Sequence, residues 1–379
     1  MKRKLLGGFI MQGLKFAQHF TMRRKQLGLT QGDVAAYVGI SSAAVSKWEQ
    51  GLSYPDLTLL PKLATLLDMT IDALLGYEPQ LTRNKITELY SSFAKRLAEE
   101  SFETVQADIE AMLKEYYSCY PFLNRMAQLY LNYYVKASNP ESVFQRIIEL
   151  CERTITHSDN YHLNQEAHML HAAVLLMSGK PQELLQYLGE DIKIHYGAEQ
   201  MIAQAHAMLG DVQKAKLMLQ ASQFQYLFGL IGSSVESMMF DIDNTQRFDE
   251  SIRRIELILA TYNIISINIH LALAFYCKAA AGYMQQQRPD AALRMVKCYY
   301  DACCKLTYPL KVHGDEFFDL IDEWLENEAE LGTQTPRDEQ SIKSDMLNIW
   351  TQNPIFAPLQ ENDDFKAIMV NLRHTLKLS

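Results

Sequence analysis

Residues 41–47 place small hydroxyl side chains and one lysine where they would share the open face of a short helix. These residues are Ser41, Ser42, Ala43, Ser46 and Lys47. Hydroxyl and ammonium groups can hydrogen-bond to base edges or phosphates, and an alanine can contact a thymine methyl. The segment lacks the arginine or asparagine that would give bidentate base contacts. The pattern predicts a helix that contacts DNA with modest base specificity of its own.

The residues before this segment predict a preceding helix and a tight turn. Thr30 followed by Asp33 fits a capping box at the start of the first helix. Gly39 can adopt the left-handed conformation that ends a helix, and Ser41 can cap the next one. We therefore expect a helix-turn-helix over residues 31–51.

Further apolar patterns extend this motif to a unit of five helices. A helix is expected from about residue 14 to residue 26, and a short one from Ile71 to Leu75 behind the capping residue Thr70. Val45 and Trp48 should face the core. Another amphipathic helix is predicted from the apolar positions Leu57, Leu60, Leu63, Ala64 and Leu67.

Over residues 14–77 the chain resembles the phage-repressor-type (XRE, or Cro/CI-like) DNA-binding domain. The residues that carry the resemblance are Arg24, Leu29, Thr30, Gln31, Ala35, Gly39, Val45, Ser46, Lys47, Trp48, Glu49, Gly51, Pro55, Leu63, Ala64, Asp72, Leu74 and Leu75. The resemblance implies that Gln31 contacts a phosphate or a base and that Arg24 and Glu49 form a structural pair. It also implies double-stranded DNA as a partner, contacted by Gln31, Ser41, Ser42, Ala43, Ser46 and Lys47.

Charge is distributed unevenly along the 379 residues. Residues 1–80 carry nine basic and six acidic side chains, whereas the rest carries 27 basic and 39 acidic ones. A basic end on an acidic body suits a protein that binds DNA through one face, because the body then repels DNA. The six cysteines form no C-x-x-C pair, which is typical of reduced core thiols in a cytoplasmic protein.

No apolar run approaches the roughly 20 residues that a membrane-spanning helix needs, so we expect no membrane partner. Residues 1–11 are interpreted as a disordered basic arm or as the product of an upstream start, with Met11 as the alternative first residue. The domain boundaries expected are 12–77 for the DNA-binding head, 81–330 for a helical repeat domain and 337–379 for C-terminal capping helices.

Behind residue 81 the apolar spacing predicts helices throughout, mostly 14–20 residues long. Three segments resemble tetratricopeptide repeat hairpins, with small residues where two helices cross: residues 172–188, 203–219 and 280–296. We thus expect an all-α chain in which a five-helix head precedes a tetratricopeptide-like solenoid; an irregular helical bundle is the alternative. Residues 313–325 are expected to form an acidic amphipathic helix, followed by a polar linker and two further helices, with Asp363, Asp364 and Phe365 capping the last.

Signatures of catalysis are missing from the sequence. It has no phosphate-binding G-x-x-x-x-G-K-[ST] loop, no G-x-S-x-G elbow and no H-E-x-x-H helix. His168 and His171 share a helix face near His162 and Glu166, which packing explains more readily than metal ligation. We expect no enzymatic activity, no metal and no cofactor.

A helix-turn-helix followed by such repeats is similar to the peptide-pheromone regulators of Gram-positive bacteria, the RRNPP class. That resemblance implies a homodimeric, cytoplasmic transcriptional regulator whose repeat domain binds a short signalling peptide. Amides that could clamp a peptide backbone include Asn132, Gln165, Asn263 and Asn268. Two alternatives remain for the repeat domain: it binds a peptide effector, or it serves only protein–protein interaction or dimerisation. The effector-binding residues are not determined by the sequence.

Overall fold

The computed structural model describes residues 15–77, 80–195, 197–328 and 337–378. The expected basic arm at residues 1–11 lies outside the described residues, and so does most of the expected polar linker before residue 337. The chain divides into two compact units. One comprises residues 1–82 with 114–119, and the other comprises residues 83–113 with 120–379.

The described part of the first unit contains five α-helices. They are α1 (Phe16–Gln26), α2 (Gln31–Val38), α3 (Ser42–Glu49), α4 (Leu60–Leu66) and α5 (Ile71–Leu75). Their buried side chains form one apolar cluster: Phe16, Phe20, Val34, Ala35, Val38, Val45, Trp48, Leu60, Leu63, Ala64, Leu67 and Leu74. The prediction that Val45 and Trp48 face the core is therefore confirmed.

Local chemistry determines where α2 and α3 begin and end. The Thr30 hydroxyl accepts from the Asp33 backbone N–H, and the Asp33 carboxylate accepts from the Thr30 backbone N–H, which completes the capping box. Gly39 adopts φ 80°, and Ser41 caps α3 by accepting from the Ala44 N–H. The helix-turn-helix prediction is confirmed at each of these positions.

The helix predicted from Leu57 to Leu67 begins later than expected. Residues Leu57–Leu59 form a 3-10 turn because the Asp56 carboxylate accepts from the Thr58 N–H, and α4 starts at Leu60. Leu57 is 79% exposed, so its assignment to the apolar face was wrong.

The described part of the second unit is built from α-helices. They are α6 (Arg83–Glu99), α7 (Phe102–Glu115, whose last residues belong to the first unit), α8 (Tyr120–Tyr133), α9 (Pro140–His157), α10 (Tyr161–Met177), α11 (Pro181–Leu188), α12 (Ala198–Met208), α13 (Val212–Phe240), α14 (Thr245–Thr261), α15 (Ile264–Ile267), α16 (Ile269–Gln285), α17 (Pro289–Cys303), α18 (Ile321–Glu328), α19 (Glu339–Thr351) and α20 (Asp363–Thr375). The all-α prediction is confirmed.

The three predicted hairpins correspond to α10–α11, α12–α13 and α16–α17, whose helices pack against each other. Small residues lie at the crossings of the second and third hairpins, as expected. Ala280 and Ala292 are fully buried between α16 and α17, and Ala203 and Ala215 are buried between α12 and α13.

Helix α13 has 29 residues, with Gly229 and Gly232 inside it, and is longer than the 14–20 residues expected for most helices. Two helix boundaries differ from the expectation. The acidic helix starts at Ile321 rather than residue 313, because the Asp315 carboxylate accepts from the backbone N–H groups of Phe317 and Phe318 and holds a turn. Asn362, not Asp363, caps α20 by accepting from the Phe365 N–H.

Candidate functional site

Helix α3 presents the predicted readers on the face opposite its buried side chains. Four of these residues are exposed, namely Ser41, Ser42, Ala43 and Lys47, and Ser46 is half-buried. Ser41 serves as the N-cap, and the Ser46 hydroxyl accepts from the Gln50 side-chain amide at 3.2 Å. Gln50, which sequence reasoning missed, therefore belongs to the same polar face.

The buried side of α3 fixes the direction of that face. Trp48 is 4% exposed and packs edge-on against Phe16 and Phe20 of α1, with ring centroids 6.3 and 6.1 Å apart. Val45 is fully buried. Rotation of α3 about its axis would expose these side chains, so packing holds the polar face outward.

Glu49 joins α3 to both preceding helices. The Arg24 guanidinium donates to its carboxylate at 2.5 and 3.2 Å, so the structure brings the predicted pair together in a bidentate contact. The Gln31 amide also donates to Glu49, at 2.7 Å. Arg24 additionally donates to the Leu29 carbonyl at 2.5 Å, which ties the chain entering α2 to α1.

The electrostatics of this network favour an ionised Glu49. Burial raises the pKa of Glu49, but hydrogen bonds from Arg24 and Gln31 outweigh burial and hold it below its ordinary value. The negative charge in turn orients the Gln31 amide. Sequence reasoning placed Gln31 at a phosphate or base but did not find its contact with Glu49. The DNA contact of Gln31 remains a prediction.

The second unit contains a cleft of about 640 Å³ between α16, α19 and the segment around Lys311. Its walls are largely apolar and include Leu273, Met346 and Ile349. Polar side chains along the cleft are Asn268, His270, Lys278, Tyr299, Lys311, Arg337 and Asp345. An apolar cleft with a few polar groups is the usual form of a small-ligand site.

Two buried polar atoms lie on residues of this cleft without a hydrogen-bond partner in the described chain: Asn268 Oδ1 and His270 Nε2. Burial lowers the pKa of His270, so its imidazole is neutral near pH 7.

The four amides proposed for an effector are not brought together at the cleft. The Asn132 side chain donates to the Tyr90 hydroxyl at 3.0 Å, and Gln165 is exposed on α10. Asn263 precedes α15 in a left-handed conformation. Asn268 alone among the four lies along the cleft.

The histidine pair on α10 is occupied by packing. His168 Nδ1 lies 2.6 Å from the Tyr187 hydroxyl, and the ring of His171 lies 4.3 Å from that of Tyr187. In the residues that the structure describes, no three His, Cys, Asp or Glu side chains are placed to hold a metal ion. All six cysteines lie in described segments and are free; burial raises the pKa of the Cys151 thiol to about 12.

Across residues 15–77, 80–195, 197–328 and 337–378, every helix is too short or too polar to cross a bilayer.

Comparison with known families identifies the N-terminal segment. Residues 22–74 match the family model described as Helix-turn-helix, and they form a helix-turn-helix domain. The match covers α2, α3 and α4 with the end of α1 and most of α5, and it includes the predicted DNA-contacting residues.

Two curated proteins are similar over comparable lengths. The HTH-type transcriptional activator BcrR of Enterococcus faecalis is 30% identical over 84 residues, which span 21% of this chain and 41% of BcrR. The cryptic phage CTXphi transcriptional repressor RstR of Vibrio cholerae is 29% identical over 100 residues, which span 26% of this chain and 88% of RstR. The chain thus spans less than half the length of the first of these relatives.

Solved structures with a similar chain were found as well. Bacillus thuringiensis PlcR, in complex with the peptide PapR7 and DNA, is 15% identical with a TM-score of 0.29, covering 83% of this chain and 98% of PlcR. ComR from S. thermophilus, in complex with DNA and its signalling peptide ComS, is 11% identical with a TM-score of 0.18, covering 88% and 99% of the two chains.

Proposed function

We propose that this chain is a sequence-specific transcriptional regulator that places α3 in the major groove of DNA. The observation that carries the proposal is the exposed polar face of α3, within a matched helix-turn-helix domain and opposite the buried Val45 and Trp48. Ser42, Ala43 and Lys47 would reach base edges or phosphates from this face. The reduced cysteines fit action in the cytoplasm. A regulator of this kind needs no catalytic group.

The readers on α3 supply limited discrimination, which favours binding as a homodimer. A dimer reads two half-sites about 34–36 Å apart, one helical turn of DNA. Two modest contacts then add their free energies, and the spacing between them becomes a further source of specificity. In this proposal the second unit holds the two copies together.

Control of DNA binding is assigned to the cleft of the second unit. A short peptide could lie along the apolar wall and hydrogen-bond polar side chains that line the cleft, among them Asn268, Lys311 and Asp345. A peptide that binds one arrangement of the helices more tightly than another would shift the population of the dimer that fits DNA. The alternative is a regulator whose second unit provides dimerisation or protein contacts without a small effector.

The DNA-binding proposal is tested by selection from a random-sequence duplex library with the full chain. We expect enrichment of a site with two related half-sites about 10 base pairs apart. Affinity for the selected duplex should fall steeply as salt is raised, because phosphate contacts release counterions. Failure to enrich any sequence would contradict the proposal, as would an affinity for the enriched duplex that does not change with salt.

The effector proposal is tested separately by native mass spectrometry of the chain purified from its own host. Bound peptide should appear as an added mass, and Asn268→Ala should lose it while Gln165→Ala, on exposed α10 surface, retains it. Protein free of added mass from cells at every growth stage would favour the alternative without an effector.

A further inference from the structure

Helix α12 carries an apolar stripe on its solvent side. The exposed fractions are 65% for Met201, 47% for Ile202, 88% for Met208 and 84% for Leu209. Its contact with α13 is made instead by the small side chain of Ala203. An amphipathic helix normally packs its large apolar side chains against the rest of the protein. In α12 these side chains face solvent instead, which is typical of a surface that another molecule covers.

The contacts of α12 leave this stripe uncovered. Helix α12 packs against α13, and no other described helix makes a comparable contact with it. The loop before it is anchored beside α13, since His195 Nδ1 lies 3.1 Å from the Tyr226 hydroxyl, which donates to Glu199 at 3.2 Å. Ile192 and Ile194 in this loop are also fully or largely exposed. We call these side chains the α12 patch: Ile192, Ile194, Met201, Ile202, Met208 and Leu209.

The spacing of the stripe is symmetric about Ala205. Met201 and Leu209 lie four residues on either side of it, and Ile202 and Met208 lie three residues on either side. A two-fold axis through Ala205 would place Met201 of one copy against Leu209 of the other in an antiparallel pair. Ala205 itself is exposed, and its small side chain lets two helices approach closely at the crossing.

We propose that the α12 patch is a self-complementary interface covered by a second copy of this chain. Isologous dimers require the same surface on both partners, which the symmetric stripe supplies without any charged side chain in it. A specific interface removes about 800 Å² from each partner. Helix α12 is only about 16 Å long, so the exposed isoleucines of the preceding loop are needed to extend the contact. The inference rests on the homodimer of the proposed function and assigns its surface.

The test is sedimentation of the full chain with Met201→Glu and Met208→Glu combined. Four carboxylates would meet in the apolar contact of the dimer, so the dimer dissociation constant should rise by about tenfold or more. The matched control combines Phe240→Glu and Val370→Glu, which are 89% and 68% exposed on α13 and α20. This control should leave dimerisation unchanged. Both variants should keep the wild-type circular dichroism, because the replaced side chains are exposed.

A crosslink locates the axis independently. Ala205→Cys, combined with Cys304→Ser to remove the exposed native thiol, should form an intermolecular disulfide under mild oxidation, since Cα atoms at such an axis can approach within about 7 Å. Gln213→Cys in the same background serves as the control and should crosslink far less.

The outcomes separate the interface from the rest of the account. A wild-type dimer that survives the glutamates, with no disulfide formed by the Ala205→Cys variant, would overturn the α12 interface while leaving the dimer and DNA binding intact. A monomeric wild type would overturn the interface and the homodimer together. DNA binding would still be tested independently, by the selection of duplexes.

Discussion

At the scale of single residues, Glu49 connects the three helices that orient the polar face of α3. Its carboxylate accepts from Arg24 on α1 and from Gln31 on α2. The side chains of Arg24 and Glu49 are 10% and 11% exposed, so each would be left poorly solvated without the other. The orientation of α3 therefore depends on a charge that is itself buried.

Replacing Glu49 by glutamine should weaken the head and change its response to acid. The pKa of Glu49 is lower in the folded protein than its ordinary value of 4.5, so the ionised carboxylate stabilises the fold above that pH. This stabilisation is lost as the pH falls through the folded pKa. At pH 7 we expect Glu49→Gln to cost about 2 kcal/mol, measured as faster amide hydrogen exchange in α2 and α3 by mass spectrometry.

The control for this prediction is Glu250→Gln. Hydrogen bonds from Arg253 and Arg254 also lower the pKa of Glu250, to about 2, but this half-buried group lies on α14 of the other unit. Exchange in α2 and α3 should not respond to it. In the wild type, protection of α2 and α3 from exchange should decrease as the pH falls through roughly the range in which a carboxylate titrates. If the Glu49→Gln variant shows the same decrease, Glu49 is not the group whose protonation weakens the head.

The residues of the helix-turn-helix show which contacts could be predicted from the sequence. Thr30, Asp33, Gly39 and Ser41 were interpretable, because capping and turn formation depend on side chains close in sequence to the backbone they satisfy. The amide contact of Gln31 depends on a partner 18 residues away. Such a contact becomes visible only when α2 and α3 are packed.

At the scale of elements, the glycine turn between α2 and α3 offers a direct test of backbone conformation. Gly39 has φ 80° with open space around its absent Cβ, whereas Gly229 lies inside α13 with equally open space. We expect Gly39→Ala to destabilise by about 1–2 kcal/mol, since a left-handed conformation strains an L-residue. Gly229→Ala should stabilise by roughly 1 kcal/mol through helix propensity.

Urea unfolding of the two variants measures this difference. Because neither new methyl group meets another atom, opposite signs can come only from the backbone. Destabilisation of both variants to the same degree would show that packing rather than backbone conformation governs the two positions.

Local signals and apolar spacing alone do not determine where helices begin and end. Helix α13 continues through Gly229 and Gly232 because its second half lies in the core cluster of the second unit. Tertiary packing there outweighs the preference of glycine for non-helical structure. Conversely, the acidic run after His313 has helical apolar spacing, but the Asp315 turn delays the helix to Ile321. Periodicity alone could not distinguish these cases.

At the scale of the whole molecule, charge separates the two roles of the chain. The basic side chains outnumber the acidic ones in residues 1–80, and the reverse holds for the rest. An acidic body limits non-specific association with DNA, so in the proposed function binding would depend on the α3 face and on how a dimer spaces its two copies. The α12 patch and the cleft of α16 and α19 are the features of the second unit on which spacing and control would act.

The most direct test of the central claim is the affinity of the combined variant Ser42→Ala and Lys47→Ala for the selected duplex, measured by fluorescence anisotropy. Neither side chain is buried, so circular dichroism and melting temperature should stay near those of the wild type. We predict that the affinity falls by about tenfold or more. Lys62→Ala, which removes an exposed lysine from α4, should reduce it far less. Equal affinity of the Ser42→Ala, Lys47→Ala variant and the wild type would contradict DNA reading by α3.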